Sequence, residues 1–170
     1  MKTMKTTKTM TLVIAALMAP YVAGRAQAEE KKIDKAAVPK PVIDAVMKKY
    51  PAAKIKGYEQ DDADNKITYE VSLESGKDKM DIDVSPEGKI LAEETIIPKS
   101  ALPAAVKASI AGSKYKGWTI QTAEKVIHEE HADEPAYEIV VTQKKEKVEV
   151  VFDKAGKITK EEVKDPKDKD

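Results

Sequence analysis

The chain of 170 residues contains no cysteine, and this absence excludes several kinds of site. A disulfide framework, thiol catalysis, a zinc–thiolate site, an iron–sulfur cluster and a lipidated cysteine all require that residue. Aromatic residues make up only 5% of the sequence, and Arg25 is its single arginine. Beyond Arg25 the chain therefore lacks the guanidinium group that grips a phosphate, a carboxylate or a guanine edge through two hydrogen bonds.

The overall charge is balanced, with 30 Lys+Arg against 30 Asp+Glu, but it is unevenly distributed. Residues 1–28 carry three lysines and Arg25 and no acidic residue. Without that segment, 26 lysines face 30 acidic residues, which is a net charge of −4. Because neutralisation of phosphates supplies most of the affinity for nucleic acid, this composition argues against a nucleic-acid partner.

The first 28 residues have the pattern of a secretory signal peptide. Three lysines within the first eight residues precede the apolar run 11–23. Ala26-Gln27-Ala28 fits the small-x-small cleavage rule, so we predict cleavage after Ala28. The apolar run contains Pro20 and is shorter than the roughly 20 residues of a membrane-spanning helix. We expect a periplasmic or secreted protein that does not associate with a membrane after cleavage.

The rest of the sequence repeats one pattern. The matching positions are Val38-Pro39 with Leu102-Pro103, Tyr50 with Tyr115, Tyr69-Glu70-Val71 with Tyr137-Glu138-Ile139, and Gly88-Lys89-Ile90 with Gly156-Lys157-Ile158. The four offsets are 64, 65, 68 and 68 residues, so the spacing changes only between the motifs. Such a stable spacing indicates a duplicated unit.

Each copy predicts one helix followed by four strands. Val38, Val42 and Val46 recur every four residues and indicate the apolar side of a helix that begins near Pro39. Apolar and polar residues alternate in 67–73 and 80–84, as in strands of an antiparallel sheet with one buried and one wet face. A unit of about 60 residues is only marginally stable alone. We therefore predict an α+β fold in which two tandem helix-plus-four-strand antiparallel units pack as one compact body.

These patterns also divide the chain. We predict a signal peptide at 1–28, a linker at 29–37, the first unit at 38–97, the second unit at 98–163 and a disordered charged tail at 164–170. Within the first unit, the first strand is predicted at Lys54–Glu59, and the acidic segment 60–65 is predicted to be the loop that follows it.

The repeated motifs resemble the PepSY-like family, whose fold is related to that of the β-lactamase-inhibitor protein. The resemblance rests on Val38-Pro39, the helix after it, the run Lys48–Ile55 and the later Tyr-Glu and Gly-Lys-Ile motifs. The second copy departs from it at Tyr115-Lys116-Gly117-Trp118, where Tyr-Pro is expected. The resemblance implies a β-lactamase-inhibitor-like fold, export to the cell envelope, and binding or inhibition of a protein. It implies no catalytic residue, because the shared motifs are core and turn positions.

One segment has the composition of a metal site. His128 and His131 lie three residues apart, and Glu130 and Asp133 are close to them in the sequence. Two histidines at this spacing, completed by a carboxylate, suit Zn²⁺ or Ni²⁺. The spacing is not the helical pattern of zinc proteases. The alternative is that the segment forms a solvated hairpin tip without a ligand. A weakly bound zinc or nickel ion is thus the one cofactor that the sequence suggests.

Four other residues are candidate contacts for a partner. Tyr58 and Trp118 are the candidate aromatic anchors, whereas Tyr69 and Tyr137 fall on the predicted apolar face; for Trp118 the alternative is burial in the core. Val140 and Val151 are apolar residues on the predicted wet face. Aromatic anchors and apolar patches are typical of protein interfaces. Val140 and Val151 also fit a seam between the two units.

The sequence argues against catalysis, because it has no Gly-rich phosphate loop, no G-x-S-x-G elbow and no thiol. We predict an exported, non-enzymatic protein that binds an envelope protein or peptide, with inhibition as one form of that binding. Two other functions stay open: weak binding of a divalent metal at the acidic and histidine-containing loop tips, and a structural accessory role at the cell surface.

Overall fold

The structure, a computed structural model, describes residues 31–63 and 66–164, so the predicted signal peptide lies outside the described residues. It has two α-helices, α1 (Lys40–Lys49) and α2 (Ala104–Gly112). The strands are β1 (Lys31–Lys32), β2 (Lys54–Ala63), β3 (Lys66–Ser75), β4 (Asp78–Val84), β5 (Ile90–Ile96), β6 (Thr119–His128), β7 (Ala136–Gln143), β8 (Glu146–Phe152) and β9 (Ile158–Lys164). Short 3-10 turns lie at Lys35–Ala37, Lys99–Ala101 and Glu129–His131. No helix in these described ranges has the length and apolar character needed to cross a membrane.

The nine strands form one sheet in chain order, and every neighbouring pair is antiparallel. Strands β2–β5 follow α1, and strands β6–β9 follow α2. The two halves of the sheet meet where β5 pairs with β6, from Ala92 opposite His128 to Ile96 opposite Glu124. The predicted α+β class with an antiparallel sheet is confirmed.

Both helices pack on the same face of the sheet. Helix α1 buries Val42 and Val46 against a cluster that includes Val71 and Ile82, and α2 buries Val106 against a second cluster. The second cluster comprises Leu102, Val106, Tyr115, Ala123, Ile139, Val141, Val148, Val150 and Phe152. Residues directly opposite one another in an antiparallel pair lie on one face. Following the register from β4 to β7 on this basis places the two clusters on the same side.

Two glycine turns hold the helices close to the strands. Gly88 and Gly156 each close a four-residue turn, with backbone N–H groups 2.8 and 2.9 Å from the carbonyl oxygens of Ser85 and Asp153. Their φ angles are +87° and +83°, a region that residues with a side chain rarely adopt. A Cβ atom on Gly88 would lie 2.6 Å from the carbonyl oxygen of Pro41 in α1, and one on Gly156 would lie 2.6 Å from that of Ala105 in α2. Only glycine therefore allows each helix to approach its turn this closely.

The segment 29–37, predicted as a linker, contains structured backbone. Its strand β1 pairs with β2, and the amide of Ile33 donates a hydrogen bond to the carbonyl of Tyr58 at 3.0 Å. The amide of Ile97 donates to the carbonyl of Ala123 in the same way at 2.9 Å. Strand β1 therefore corresponds to the end of β5. The sequence does not predict this strand, because two lysines in a row show no alternation of apolar and polar residues.

Two predicted boundaries differ from the structure. Strand β2 continues through Asp61 and Asp62, which the sequence analysis placed in a loop, because these residues pair with Thr68 and Ile67 of β3. Strand β9 includes Lys164, the first residue of the predicted tail. Lys164 belongs to the strand because it pairs with Lys147 of β8, and its ammonium group lies 2.7 Å from a carboxylate oxygen of Glu149. Residues 165–170 of the tail lie outside the described part.

The glycine turns predict a graded loss of stability. Replacing Gly88 or Gly156 with alanine combines an unfavourable φ with a steric clash, so we expect each change to lower the free energy of unfolding by about 2–4 kcal/mol. Gly76 also has a positive φ, +64°, but a Cβ atom there would meet nothing within 4 Å. Gly76→Ala should therefore cost only about 1 kcal/mol. Urea unfolding measures all three, and equal losses would show that the helix contact contributes nothing.

Candidate functional site

The residues predicted to bind metal lie at the end of β6 and in the turn after it. His128 is the last residue of β6, Glu130 and His131 belong to the 3-10 turn, and Asp133 follows; all four are exposed. Glu130 forms an ion pair with Lys89 at 2.9 Å, and this hydrogen bond lowers the pKa of Glu130. Among the described residues, no three of the four predicted metal ligands bring their ligand atoms within 4.8 Å of one another. The site at the loop tip stays a prediction.

The four candidate contact residues occupy separate places. Tyr58 lies half-buried in β2 at one end of the sheet, where burial raises the pKa of its hydroxyl. Trp118 lies between α2 and β6, half-buried, with its ring edge-to-face against Tyr115 at a centroid distance of 5.3 Å. Val140 and Val151 are diagonal neighbours in β7 and β8, on the face away from the helices. The structure thus brings together only the two valines.

The face away from the helices is less wet around these valines than the sequence analysis expected. Val140 is 6% exposed and Val151 is 9% exposed, so both are buried. Glu149 lies directly opposite Val140, and Lys160 lies directly opposite Val151. The long stems of such side chains can cover apolar neighbours while their charged ends interact with one another.

The charged ends of these side chains form a closed ionic ring of Glu149, Lys160, Glu162 and Lys164. Glu149 lies 3.3 Å from Lys160 and 2.7 Å from Lys164. Glu162 lies 2.7 Å from Lys160 and 3.5 Å from Lys164. Burial alone would favour the neutral acid at Glu149, but the hydrogen bond and charge of Lys164 and the charge of Lys160 lower its pKa. Despite their own partial burial, Lys160 and Lys164 have raised pKa values because of the two carboxylates.

Carboxylates dominate the centre of the same face. We call this region the acidic face and define it by six half-buried residues of β3–β7: Glu70, Asp81, Asp83, Glu94, Glu124 and Glu138. They form three directly opposed pairs in the register: Glu70 with Asp83, Asp81 with Glu94, and Glu124 with Glu138. Like charges in such positions destabilise a sheet. The alternation of residues predicted the wet face, but only the strand register shows that acids oppose acids.

Potential metal ligands also converge on the acidic face. Oxygen atoms of Glu94, Glu124 and Glu138 lie within 4.8 Å of one another, the only such group of three His, Asp or Glu residues in the part of the chain that the structure describes. Local sequence patterns do not reveal this group, because its members come from three strands and are far apart in the chain.

On the helix side, a polar contact occurs in both halves of the sheet. Lys49 and Tyr50, at the end of α1, both contact the carboxylate of Glu93 in β5. Burial and the hydrogen bond to Glu93 raise the pKa of Tyr50. After α2, Lys114 lies 2.7 Å from Glu161 in β9. The two lysines are 65 residues apart and the two glutamates are 68 residues apart, the same offsets as in the repeated motifs. The repeat in the sequence therefore relates the two contacts to each other.

A surface groove of about 500 Å³ lies at the β2 end of the sheet, on the helix side. We call it the edge groove; its apolar lining consists of Ile33, Met47, Ala53, Ile55 and Tyr58. A second groove of about 290 Å³ adjoins it and is lined partly by Lys32, Lys56, Glu59 and Ser72. Gly57 and Tyr58 line both grooves, so the two lie on either side of the same stretch of β2. Tyr58 is the one sequence-predicted residue at this place.

Comparisons with known proteins agree on the kind of fold. A family model described as "Putative beta-lactamase-inhibitor-like, PepSY-like" matches the chain twice in tandem, at residues 25–92 and 92–160. No curated protein matches the chain.

Solved structures from three Bacteroides species are similar in fold. A "putative periplasmic" protein from Bacteroides eggerthii is 22% identical, with a TM-score of 0.65, over 74% of this chain and 88% of that one. A BLIP-like protein from Bacteroides fragilis is 23% identical, with a TM-score of 0.58, over 74% and 86%. A DUF2874 family protein from Bacteroides uniformis is 19% identical, with a TM-score of 0.64, over 74% and 88%. Identities this low establish a shared fold and leave the function to be argued from this chain's residues.

The ionic ring predicts a pH-dependent contribution to stability. Because the pKa of Glu149 is lowered in the folded chain, its stabilisation is present above the ordinary glutamate pKa of 4.5 and is lost as the pH falls through the lowered value. Glu149→Gln should therefore lower the free energy of unfolding at pH 7 by about 1–2 kcal/mol, since the lysines are partly exposed. The difference from the wild type should shrink below about pH 4.

Urea unfolding at pH 7 and pH 3 measures this difference. Glu146→Gln is the matched control, because Glu146 is an exposed residue of the same strand. A loss at pH 7 that is no larger for Glu149→Gln than for the control, or one that persists unchanged at pH 3, would contradict a stabilising role for the charge of Glu149.

Proposed function

The chain belongs to the PepSY-like, β-lactamase-inhibitor-like family, and we propose that it is an exported, non-enzymatic protein that binds a cationic protein partner through its acidic face. The family and the fold do not identify a partner. The proposal therefore rests on the chemistry of this surface.

The observation that carries the proposal is the set of three directly opposed acidic pairs on the acidic face. Each pair brings like charges close together, an arrangement that is unfavourable in a sheet unless neighbouring groups compensate it. The ammonium group of Lys164 supplies one such compensating charge near Glu138. A partner that presents lysine or arginine side chains would reduce this repulsion on binding. Complementary charge of this kind also accelerates association and selects among partners.

The position of the acidic face supports the same proposal. Both α-helices pack on the other face, so the carboxylates lie on the side of the sheet that neither α-helix occupies. The buried pair Val140 and Val151 lies on this side too, beside Glu138 of the acidic face. A broad sheet of paired strands holds such groups in fixed positions, as a binding surface requires.

Two observations support export. Residues 1–28 have the composition of a secretory signal peptide, and the structural relative from Bacteroides eggerthii is described as periplasmic. Removal of this segment leaves the net charge of −4, which favours a cationic partner over an anionic one.

We also propose that the two halves of the sheet are copies of one helix-plus-four-strand unit. Backbone irregularities support this: register shifts occur between Ile55 and Gly57 and between Ile120 and Thr122, at an offset of 65 residues. The close approaches of Gly88 to Pro41 and of Gly156 to Ala105 recur in the same way.

Charge reversal on the acidic face tests the proposed function. A chain with Glu94→Lys, Glu124→Lys and Glu138→Lys should lose at least about 90% of its capture of a cationic protein from an envelope extract of the source organism. Capture by the wild type should fall as salt is raised from about 0.05 to 0.5 M, because added salt screens exposed charges. An activity assay of any captured enzyme, with and without the chain, tests whether binding inhibits it.

The matched control carries the same change of charge at exposed positions away from the acidic face: Asp78→Lys, Glu134→Lys and Glu146→Lys. It should capture the partner as the wild type does. The proposal fails if nothing is captured at low salt, or if both triple variants capture equally well.

A second candidate function, weak binding of a divalent metal ion, is favoured by the convergence of Glu94, Glu124 and Glu138. Three carboxylates suit Ca²⁺ and similar hard ions, whereas the predicted histidine-containing tip suits Zn²⁺ or Ni²⁺. Extracellular sites of this kind bind Ca²⁺ with dissociation constants of about 0.1–1 mM.

Calorimetric titration with each ion separates these alternatives. If the sheet binds Ca²⁺, the variant with Glu94→Gln, Glu124→Gln and Glu138→Gln should abolish the heat signal, and His128→Ala with His131→Ala should leave it unchanged. The reverse pattern with Zn²⁺ or Ni²⁺ would assign the metal to the tip. No signal with the wild-type chain for any of the three ions would eliminate metal binding as a function.

A further inference from the structure

We propose that the outer edge of β2 between Lys54 and Gly57 binds an extended peptide as an added strand. In this arrangement, one apolar side chain of the peptide enters the edge groove, and the next side chain, an acidic one, enters the second groove. This surface lies at the end of the sheet and is distinct from the acidic face.

Part of the outer backbone edge of β2 is unpaired among the described residues. Strand β1 pairs with β2 only at Glu59 and Gln60, and the hydrogen bond from Ile33 to Tyr58 extends this contact by one residue. The chain then leaves the edge in the 3-10 turn Lys35–Ala37. Among the described residues, no strand pairs with the outer side of β2 from Lys54 to Gly57. An unpaired strand edge offers N–H and C=O groups to an extended peptide.

The two grooves have the arrangement that an added strand needs. Successive side chains of a strand point to opposite faces of the sheet. The edge groove opens on the helix side beside Met47, and the second groove opens on the other face beside Ser72. A peptide paired with this stretch of β2 would therefore place neighbouring side chains in the two grooves alternately.

Comparison of the two halves of the sheet explains why the edge groove is present. Ala53 donates its amide to the carbonyl of Tyr50 at 3.0 Å, and Trp118 donates to Tyr115 at the same distance. Trp118 therefore stands in the position of Ala53, and it packs against the core of the second half. Alanine in this place leaves volume that the indole ring occupies in the other half.

Gly57 contributes in a similar way on the other face. Its φ is not among the positive values that glycine alone adopts readily, so the backbone does not require glycine here. A Cβ atom on Gly57 would meet only Ser72, at an ordinary contact distance of 4.0 Å. The corresponding residue in the second half, at the same register shift, is Thr122. A threonine side chain at Gly57 would thus extend into the second groove without a clash with the backbone.

The charges around the grooves indicate the class of peptide. Besides its five apolar residues, the edge groove is lined by three charged ones, Asp34, Lys35 and Lys56. The lining of the second groove includes Lys32, Lys56, Glu59 and Ser72. Lys32 lies 3.6 Å from Glu59 and Lys56 lies 2.8 Å from Glu74, but both lysine side chains remain exposed, so their ammonium groups can also meet a carboxylate of the peptide. An apolar residue suits the first groove, and an acidic residue suits the second. We infer that the peptide alternates apolar and acidic residues.

The test uses capped peptides of defined sequence and the purified chain. Acetyl-Val-Asp-Val-Asp-Val-amide is titrated into ¹⁵N-labelled protein up to about 5 mM, with Val-Lys-Val-Lys-Val as the charge-reversed probe. We expect shifts of the amide signals of residues 54–58 with the acidic peptide and binding at least about tenfold weaker with the basic one. Ala53→Trp and Gly57→Thr should each weaken binding about tenfold or more, because they fill the two grooves.

Gly112→Ala is the control, because a Cβ atom on this helical glycine would meet nothing within 4 Å. It should bind the acidic peptide as the wild type does. The amide spectrum shows whether Ala53→Trp folds; if it does not fold, Gly57→Thr still tests the proposed binding site.

The inference is overturned if the acidic peptide causes no shifts, if the shifts occur at Ile158–Lys164 on the opposite edge, or if folded groove variants bind normally. Both groove variants should still capture a cationic partner through the acidic face, so failure here is distinguishable from failure of the proposed function.

Discussion

The pairing of β5 with β6 is the interaction on which the rest of the structure depends. Each half of the sheet is of a size that is marginal alone, and this pairing joins the two into one body. Its register places Glu93 opposite Ile127 on the helix side and Glu94 opposite Val126 on the other side. Because a shift of one residue would exchange the faces, this register is what places α1 and α2 on the same side. The acidic residues of β3–β5 and those of β6 and β7 consequently lie on one face, although Glu94 is opposite Val126 and Glu124 is opposite Ile96 where the halves meet.

On the helix side of the sheet, the two halves contain the same close contacts between helix and strands. The glycine turns, the register shifts and the contacts of a lysine with a strand glutamate recur at offsets of 64 to 68 residues. These features fix how closely a helix can approach its strands. The opposite face has no such requirement, and there the halves differ: the ionic ring of Glu149, Lys160, Glu162 and Lys164 occurs at the β9 end, and the second groove occurs at the β2 end.

The sequence allowed good prediction wherever local pattern determines structure. Alternation in 67–73 and 80–84, the proline at the start of α1 and the turn ending at Gly88 predicted elements that the structure contains. The resemblance to the PepSY-like family is confirmed by two tandem matches. What was missed depends on long-range pairing: Tyr50 reaches Glu93 and Lys114 reaches Glu161 across 43 and 47 residues. The acidic segment 60–65 was misjudged because polarity suggested a loop, whereas pairing with β3 extends the strand through Asp61 and Asp62.

Trp118 shows why a departure from a repeated pattern can be more informative than the match. In sequence it belongs to the segment Tyr115-Lys116-Gly117-Trp118, where the second copy departs from the Tyr-Pro motif. In the structure it occupies the position of Ala53, and its ring packs against Tyr115 at 5.3 Å. The repeated positions build the core that both halves need, so they carry no information about a ligand. A residue that is large in one half and small in the other changes the surface beside that core. The small residues Ala53 and Gly57 leave grooves beside the stretch of β2 whose outer edge pairs with no strand among the described residues.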